Sequence, residues 1–162
     1  MAHQLDPERL GDHVDRLYRA ALALTGVPAD AEDLVQDTYV RILSRPRFMR
    51  TADDLGYLLR VLRNTFLTRR RDAGRRPREV VLDEEPSAPR TAGQPDAALE
   101  AREVLAAIAA LPDDFRDVVV HVDVAGLSYA ETADALGIPQ GTVMSRLYRG
   151  RARLAVYSTA TA

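Results

Sequence analysis

Apolar residues recur every three or four positions along most of the chain, the spacing of one helical face, and Pro, Gly and capping residues punctuate them. Asp6-Pro7-Glu8 reads as an N-cap, a first-turn proline and a favourable acid ahead of Leu10, Val14, Leu17, Ala21 and Leu24, and Gly26 stops this first helix. Asp30 to Asp33 resembles a capping box with a short acid at its fourth position. It opens a second helix carrying Leu34, Val35, Tyr39, Ile42 and Leu43 until Pro46 breaks it. Arg45 to Ala52 is a loop. A third helix starts near Asp53 or Asp54, buries Leu55, Leu58, Leu59, Leu62 and Phe66, and dissolves into the Arg-rich run Arg69 to Arg78.

From about Asp72 to Pro95 the period is lost, and Pro77, Pro86, Pro89 and Pro95 with Gly74 and Gly93 mark a flexible acidic linker. Ala97 to Leu111 is a helix ended by Pro112. Asp113 caps another that buries Phe115, Val118, Val119 and Val122 and stops at Gly126. The β-branched run Val118 to Val124 would suit a strand in isolation, but its neighbours are helical and it is read as helix. Ser128-Tyr-Ala-Glu131 is a capping box opening a short helix to Leu136, and Gly137-Ile-Pro-Gln turns into a last helix, about Gly141 to Val156. The pattern predicts an all-α protein of two small helical domains, residues 1–76 and 96–162, joined by a linker over 77–95.

Composition narrows the function. At 162 residues the chain has no cysteine, which removes disulfides, thiol nucleophiles and thiolate metal sites and fits a reducing cytoplasm. No run approaches the ~18 apolar residues of a membrane span, and Met1 to Leu10 has no signal-like core, so a soluble cytoplasmic protein without membrane insertion is expected. His3, His13 and His121 lie far apart, and no phosphate-loop, zincin or nucleophile-elbow motif occurs. No catalytic residue, metal or cofactor is expected. The net charge of −2 hides blocks: residues 38–78 hold 12 Arg against 3 acids and residues 138–162 hold 4 Arg and none, while acids dominate 1–37 and 79–137. Every basic residue is Arg.

Ala133, Gly137 and Val143 supply the small residue, turn glycine and apolar anchor of a helix-turn-helix. With Val143, Leu147 and Leu154 inward, the last helix presents Thr142, Ser145, Tyr148, Arg149 and Ala152, flanked by Arg146 and Arg153, as a recognition helix would to a major groove. A C-terminal helix whose arginines merely complement its dipole is the plainer reading. On the third helix, Tyr57, Arg60, Asn64, Thr68 and Arg71 fall opposite the core, with Arg63 beside them. That is either a surface for stacking unpaired bases and holding their phosphates or an ordinary solvated face.

Asp30-Ala-Glu-Asp-Leu-Val-Gln-Asp-Thr-Tyr-Val-Arg41, Tyr57-Leu-Leu-Arg-Val-Leu-Arg-Asn64, Leu111-Pro-Asp-Asp-Phe-Arg116, Gly126-Leu-Ser-Tyr-Ala-Glu131 and Gly141-Thr-Val-Met-Ser-Arg-Leu-Tyr-Arg-Gly-Arg151 together resemble, in order, the bacterial extracytoplasmic-function sigma factors. The resemblance spans about Leu17 to Leu154. It implies that the first domain is the family's region 2 and the second its region 4, in a subunit that directs RNA polymerase core to promoters. Asp33, Gln36, Asp37 and Arg41 would contact the β′ clamp helices, and region 4 the β flap. Arg47, Phe48, Tyr57, Arg60, Arg63, Asn64 and Arg71 would bind a melted minus-ten element, with Asn64 as the amide contact to a flipped base. Thr142, Ser145, Arg146, Arg149 and Arg153 would read the minus-thirty-five duplex, and the acids Asp83, Glu84 and Glu85 would thread near the RNA path. Tyr57 stands where many members carry Trp, and Met144 where Lys is common. The wording around Met144 to Arg151, with Asn64-Thr65, is similar to the actinobacterial thiol-stress branch, which implies a zinc-containing anti-sigma factor whose sensor cysteines belong to the partner. A stand-alone helix-turn-helix regulator and a decoy for an anti-sigma factor are the alternatives. The first lacks an evident dimerisation helix, and the second has no use for Arg on both faces.

Overall fold

The computed structural model describes residues 3–4, 6–44, 48–49, 54–75 and 95–160. Loop residues 45–47 and 50–53 and most of the expected linker, including Asp83, Glu84 and Glu85, lie outside them. The described chain is helical apart from one two-residue ladder, in which His3 and Gln4 (β1) pair antiparallel with Met49 and Phe48 (β2). Nothing in the alternation of the sequence announces so short a pairing.

The first module begins with a 3-10 turn over Pro7–His13, capped by the Asp6 carboxylate, which accepts from the Glu8 N–H at 3.0 Å. It runs into α1, Val14–Thr25, which Gly26 closes in the left-handed conformation at φ +73°. Leu10, Leu17, Ala21 and Leu24 are buried as expected, but Val14 is exposed. A 3-10 turn winds about three residues per turn rather than 3.6, so the face that holds Leu10 is rotated before α1 begins. α2 spans Pro28–Ser44, starting two residues before Asp30, because Pro28 is a preorganised first helical residue. Leu43 also points to solvent, one step off the buried line of Leu34, Thr38 and Ile42, where the Thr38 hydroxyl donates to the Leu34 carbonyl at 2.7 Å. α3, Asp54–Arg75, buries Leu55, Leu58, Leu59, Leu62 and Phe66 and continues through the Arg run, since Arg is a good helix former.

The second module comprises α4 (Pro95–Ala109), α5 (Asp113–Val119), α6 (Tyr129–Leu136) and α7 (Gln140–Ala160). α5 starts after Pro112, with Asp113 as its first helical residue rather than its cap. The β-branched run continues α5 as a π-helical turn, Val120–Val124, in which the Ala125 N–H reaches back five residues to the Val120 carbonyl at 2.9 Å. Both halves of the Ser128–Glu131 capping box form, and Gly137 ends α6 at φ +67°. α7 crosses α5 closely at Gly150, where a Cβ would meet Val119 Cγ2 at 2.8 Å.

The two modules share one continuous core. α1 packs on α4 and on the π-turn, and α3 packs on α6. At Gly26 the approach is close enough that a Cβ there would lie 3.3 Å from Ala109 Cβ. Among the described residues no helix is long and apolar enough to cross a membrane. Leu58→Ala, in the centre of the first module, is expected to cost roughly 2–5 kcal/mol of stability, and Ser128→Ala about 1 kcal/mol through the lost cap. Urea midpoints of the two variants check the ranking, which a larger loss for Ser128→Ala would reverse.

Candidate nucleic-acid and polymerase interfaces

On α2, Asp33, Gln36 and Arg41 are exposed, whereas Asp37 is half-buried and takes Arg69 Nε at 3.0 Å. Arg69 also donates to the Asp33 carbonyl at 3.2 Å, so α3 braces the acidic face of α2 from one side. Val40 and Leu43 are 61% and 55% exposed and follow Asp33 and Gln36 at i+7, which sets two large apolar groups in the same stripe. The face is thus mixed acidic and apolar, and sequence reasoning missed its apolar half by placing Leu43 in the core.

On α3, Asn64 and Arg71 are exposed, but Tyr57 is only partly so and packs against the core. The other arginines are engaged by the second module. Arg60 Nε donates to the Ala135 carbonyl at 3.1 Å and Nη2 to that of Asp134, at the end of α6. Arg63 Nε meets buried Asp117 Oδ2 at 2.7 Å. The series continues through Asp117 Oδ1 to Arg116 Nη2 (3.7 Å), Asp113 Oδ1 (3.0 Å) and Arg70 Nη1 (2.9 Å). Arg116 and Arg70 both lie over the Phe66 ring, their guanidinium carbons 5.1 and 5.5 Å from its centre. Arg70 holds the Asp113 carboxyl below the usual carboxylate range. Of the remaining expected residues, Phe48 lies in the β1–β2 ladder and Arg47 lies outside the described residues.

The α7 face is more open. Ser145 and Arg149 are exposed, Thr142 is half-buried with its carbonyl accepting from Ser145 Oγ at 3.1 Å, and Tyr148 is 78% exposed. Arg146 approaches Asp114 at 3.5 Å, and Arg153 stacks over Phe115 at 5.1 Å, so both are steered by α5. Met144 stands exposed beside them. A cavity of about 560 Å³ opens where the modules meet, with Leu24, Leu34 and Phe66 as its apolar floor and Arg69, Arg70 and Arg116 around it. Among the described residues no three His, Asp or Glu side chains converge as a metal site requires.

This architecture, two helical modules of which the second ends in a helix-turn-helix, is that of the sigma-70 proteins. Residues 10–76 match the family model for sigma-70 region 2, and residues 101–154 match that for sigma-70 region 4. The chain is 37% identical over 155 residues to the ECF RNA polymerase sigma factor SigE of Mycolicibacterium smegmatis, covering 93% of this chain and 60% of that one. It is 35% identical to EcfG of Rhodopseudomonas palustris, covering 87% of this chain and 78% of the relative. The fold matches the sigma factor RpoE of Bartonella quintana, solved in complex with the anti-sigma factor NepR, at TM-score 0.68 and 26% identity over 91% of this chain and 92% of that one. It also matches CnrH in complex with the cytosolic domain of CnrY, at TM-score 0.66 and 25% identity, covering 96% and 88%. The chain belongs to the extracytoplasmic-function sigma factors.

Behind the Arg63–Asp117 pair, His121 donates from Nδ1 to the Asp117 carbonyl at 2.7 Å, and its Nε2 is buried without a hydrogen-bond partner. Burial holds its pKa below the ordinary value. The unfolded chain therefore takes up this proton first, and the stability linked to His121 is intact above about pH 6.5 and falls as the pH drops below it. His121→Leu is expected to flatten the slope of unfolding free energy between about pH 6.5 and 5.5; denaturant titrations of both proteins over that range check this, and an unchanged slope would count against it.

Proposed function

We propose that the chain recruits RNA polymerase core to two-element promoters and helps melt the minus-ten element, acting as a specificity subunit and not as an enzyme. Membership of the family supports the class. The observation that carries the reading is the pairing, in one chain, of two modules matching regions 2 and 4, each with arginines on one face of one helix. In this reading α2 offers Asp33, Gln36, Asp37 and Arg41 with Val40 and Leu43 to the β′ clamp helices, and the second module meets the β flap. α3 holds the unpaired strand through Tyr57, Arg60, Arg63, Asn64 and Arg71, joined by Arg47 and Phe48, and unstacking a base costs a few kcal/mol that aromatic and amide contacts must offset. α7 reads the upstream duplex through Thr142, Ser145, Arg146, Arg149 and Arg153, with phosphate contacts steepening its salt dependence.

An anti-sigma partner is part of the proposal, supported by the two structural relatives solved with such partners. The cavity at the module junction, apolar below and ringed by arginine, suits an acidic amphipathic segment that would hold both modules. Any zinc and sensor thiols would be the partner's, since this chain has no cysteine. In this reading the protein works in the cytoplasm. A stand-alone regulator would have no use for a module matching region 2.

Asn64→Ala is expected to weaken promoter opening roughly tenfold, as one lost base contact of ~1–3 kcal/mol would, and to leave core binding nearly intact. Asp37→Arg is expected to do the reverse. Permanganate reactivity of the melted strand and polymerase co-sedimentation measure the two effects, and equal losses in both assays for both variants would undo the assignment.

A further inference from the structure

α7 is pinned to its own module along both flanks of its open face. At about 100° per residue, Arg146 and Arg153 fall on one side of the inward line of Val143, Leu147 and Leu154, and Arg151 falls on the other. α5 holds the first two through Asp114 and Phe115. Arg151 turns instead to Asp123 of the π-turn in a two-pronged pair, Nε to Oδ2 at 3.0 Å and Nη2 to Oδ1 at 2.6 Å. The Tyr129 side chain, on the first residue of α6, also hydrogen-bonds this guanidinium. One side chain thus joins the turn that precedes the helix-turn-helix, its first helix and its second.

The backbone delivers the carboxylate to that place. Val119 closes on Gly150, where a Cβ would meet it at 2.8 Å, and Asp123 follows Val119 by one turn. The approach that requires glycine at 150 therefore sets an acid against the next residue of α7. Stability does not account for the pair, because its side chains are 53% and 32% exposed and an exposed ion pair adds little to folding. Phosphate binding does not account for it either, since an acid beside a helix that reads DNA repels the backbone and occupies the Arg151 fork. What two parallel hydrogen bonds to a planar fork do fix is an angle. The angle here is the roll of α7, which decides the side chains that meet base edges.

We propose that Arg151 and Asp123 are positioning residues for duplex reading: their pair sets the roll of α7 so that Ser145 and Arg149 face the bases, and Arg151 is not itself a phosphate contact. The inference rests on the reading of α7 as the helix that meets the upstream duplex.

The test uses holoenzyme assembled from the full chain and polymerase core. Wild-type holoenzyme first selects promoter duplexes from a pool randomised in the upstream element. Affinity is then measured over a range of salt for a selected duplex and for its upstream-scrambled counterpart. Asp123→Asn is expected to lower the ratio of the two affinities roughly tenfold, the order of one misplaced base contact, and to leave the salt slope unchanged. Electrostatics alone predicts the opposite, because removing an acid would tighten both complexes. Arg151→Lys keeps the charge and loses the fork, so it is expected to lower the ratio as Asp123→Asn does. The double variant is expected to lose no more than the worse single one. A role confined to folding would lower both affinities alike and preserve the ratio. Preserved ratios, additive losses, tighter binding of both duplexes by Asp123→Asn, or a salt slope shallower by about one in Arg151→Gln would each overturn the proposal. If wild-type holoenzyme enriches no upstream sequence, the functional reading falls and takes the positioning role with it; if it enriches one that both variants prefer as strongly, the positioning role falls alone.

Discussion

The fold turns on Asp117, an acid sealed beneath the contact between the modules. One of its carboxylate oxygens accepts from Arg63 of α3, the other faces Arg116 of its own helix, and its carbonyl takes the His121 N–H. An ion pair at such depth repays its desolvation only while both partners are present, and removing one leaves a buried charge that costs about 3–5 kcal/mol. Asp117 therefore ties the integrity of the second module to the position of the first. The series Arg63, Asp117, Arg116, Asp113, Arg70 carries three cations and two anions, and it is tolerable because its far end reaches solvent and the last two guanidinium groups lie over the ring of Phe66.

The π-turn explains how one short helix can serve this network and the helix-turn-helix together. A run such as Val118-Val119-Val120-His121-Val122 packs β-branched side chains that crowd a regular helix. Widening the last turn to a five-residue hydrogen bond shifts the register after Val120. Val118 and Val119 then stay in the core shared with α7, where Gly150 makes room for Val119, while His121 turns in against the Asp117 carbonyl. The widened turn also leads to Gly126 at φ +78° and so to the Ser128 cap, which sets where α6 begins.

Much of this was legible in the sequence where the signal is local. Ser128 with Glu131, Gly137, Gly26 and the α3 stripe from Leu55 to Phe66 each act within one or two turns of the chain, and each fell where the pattern placed it. The errors were local too, at Val14, where a 3-10 turn changed the pitch, and at Leu43, which lies one step off the buried line of Leu34, Thr38 and Ile42. What the sequence could not disclose is the closure of the modules. Arg63 and Asp117 are 54 positions apart and Arg60 and Ala135 are 75 apart. On a helical wheel, an arginine facing solvent and an arginine facing another module are indistinguishable. The wheel separates the polar side of α3 from its core side, and only the three-dimensional packing says what covers the polar side.

The two basic faces differ in this respect, and the difference follows the order of events in the proposed function. α7 keeps Ser145, Tyr148 and Arg149 toward solvent, and duplex DNA, its target in that reading, exists before any polymerase acts. α3 has Arg60, Arg63 and Arg70 engaged, and an unpaired promoter strand exists only once melting has begun. Exposed guanidinium groups on α3 would meanwhile bind any polyanion in reach, because phosphate contacts are strong and carry no sequence information. Of the pairs that engage them internally, the half-exposed Arg70–Asp113 pair is worth at most about 1 kcal/mol, whereas Arg63 is held by the buried Asp117 and is released only at a cost. Arginine suits both roles because the same planar fork fits a carboxylate or a phosphate. The exchange of one for the other needs a change of partner and no change in the helix that carries it.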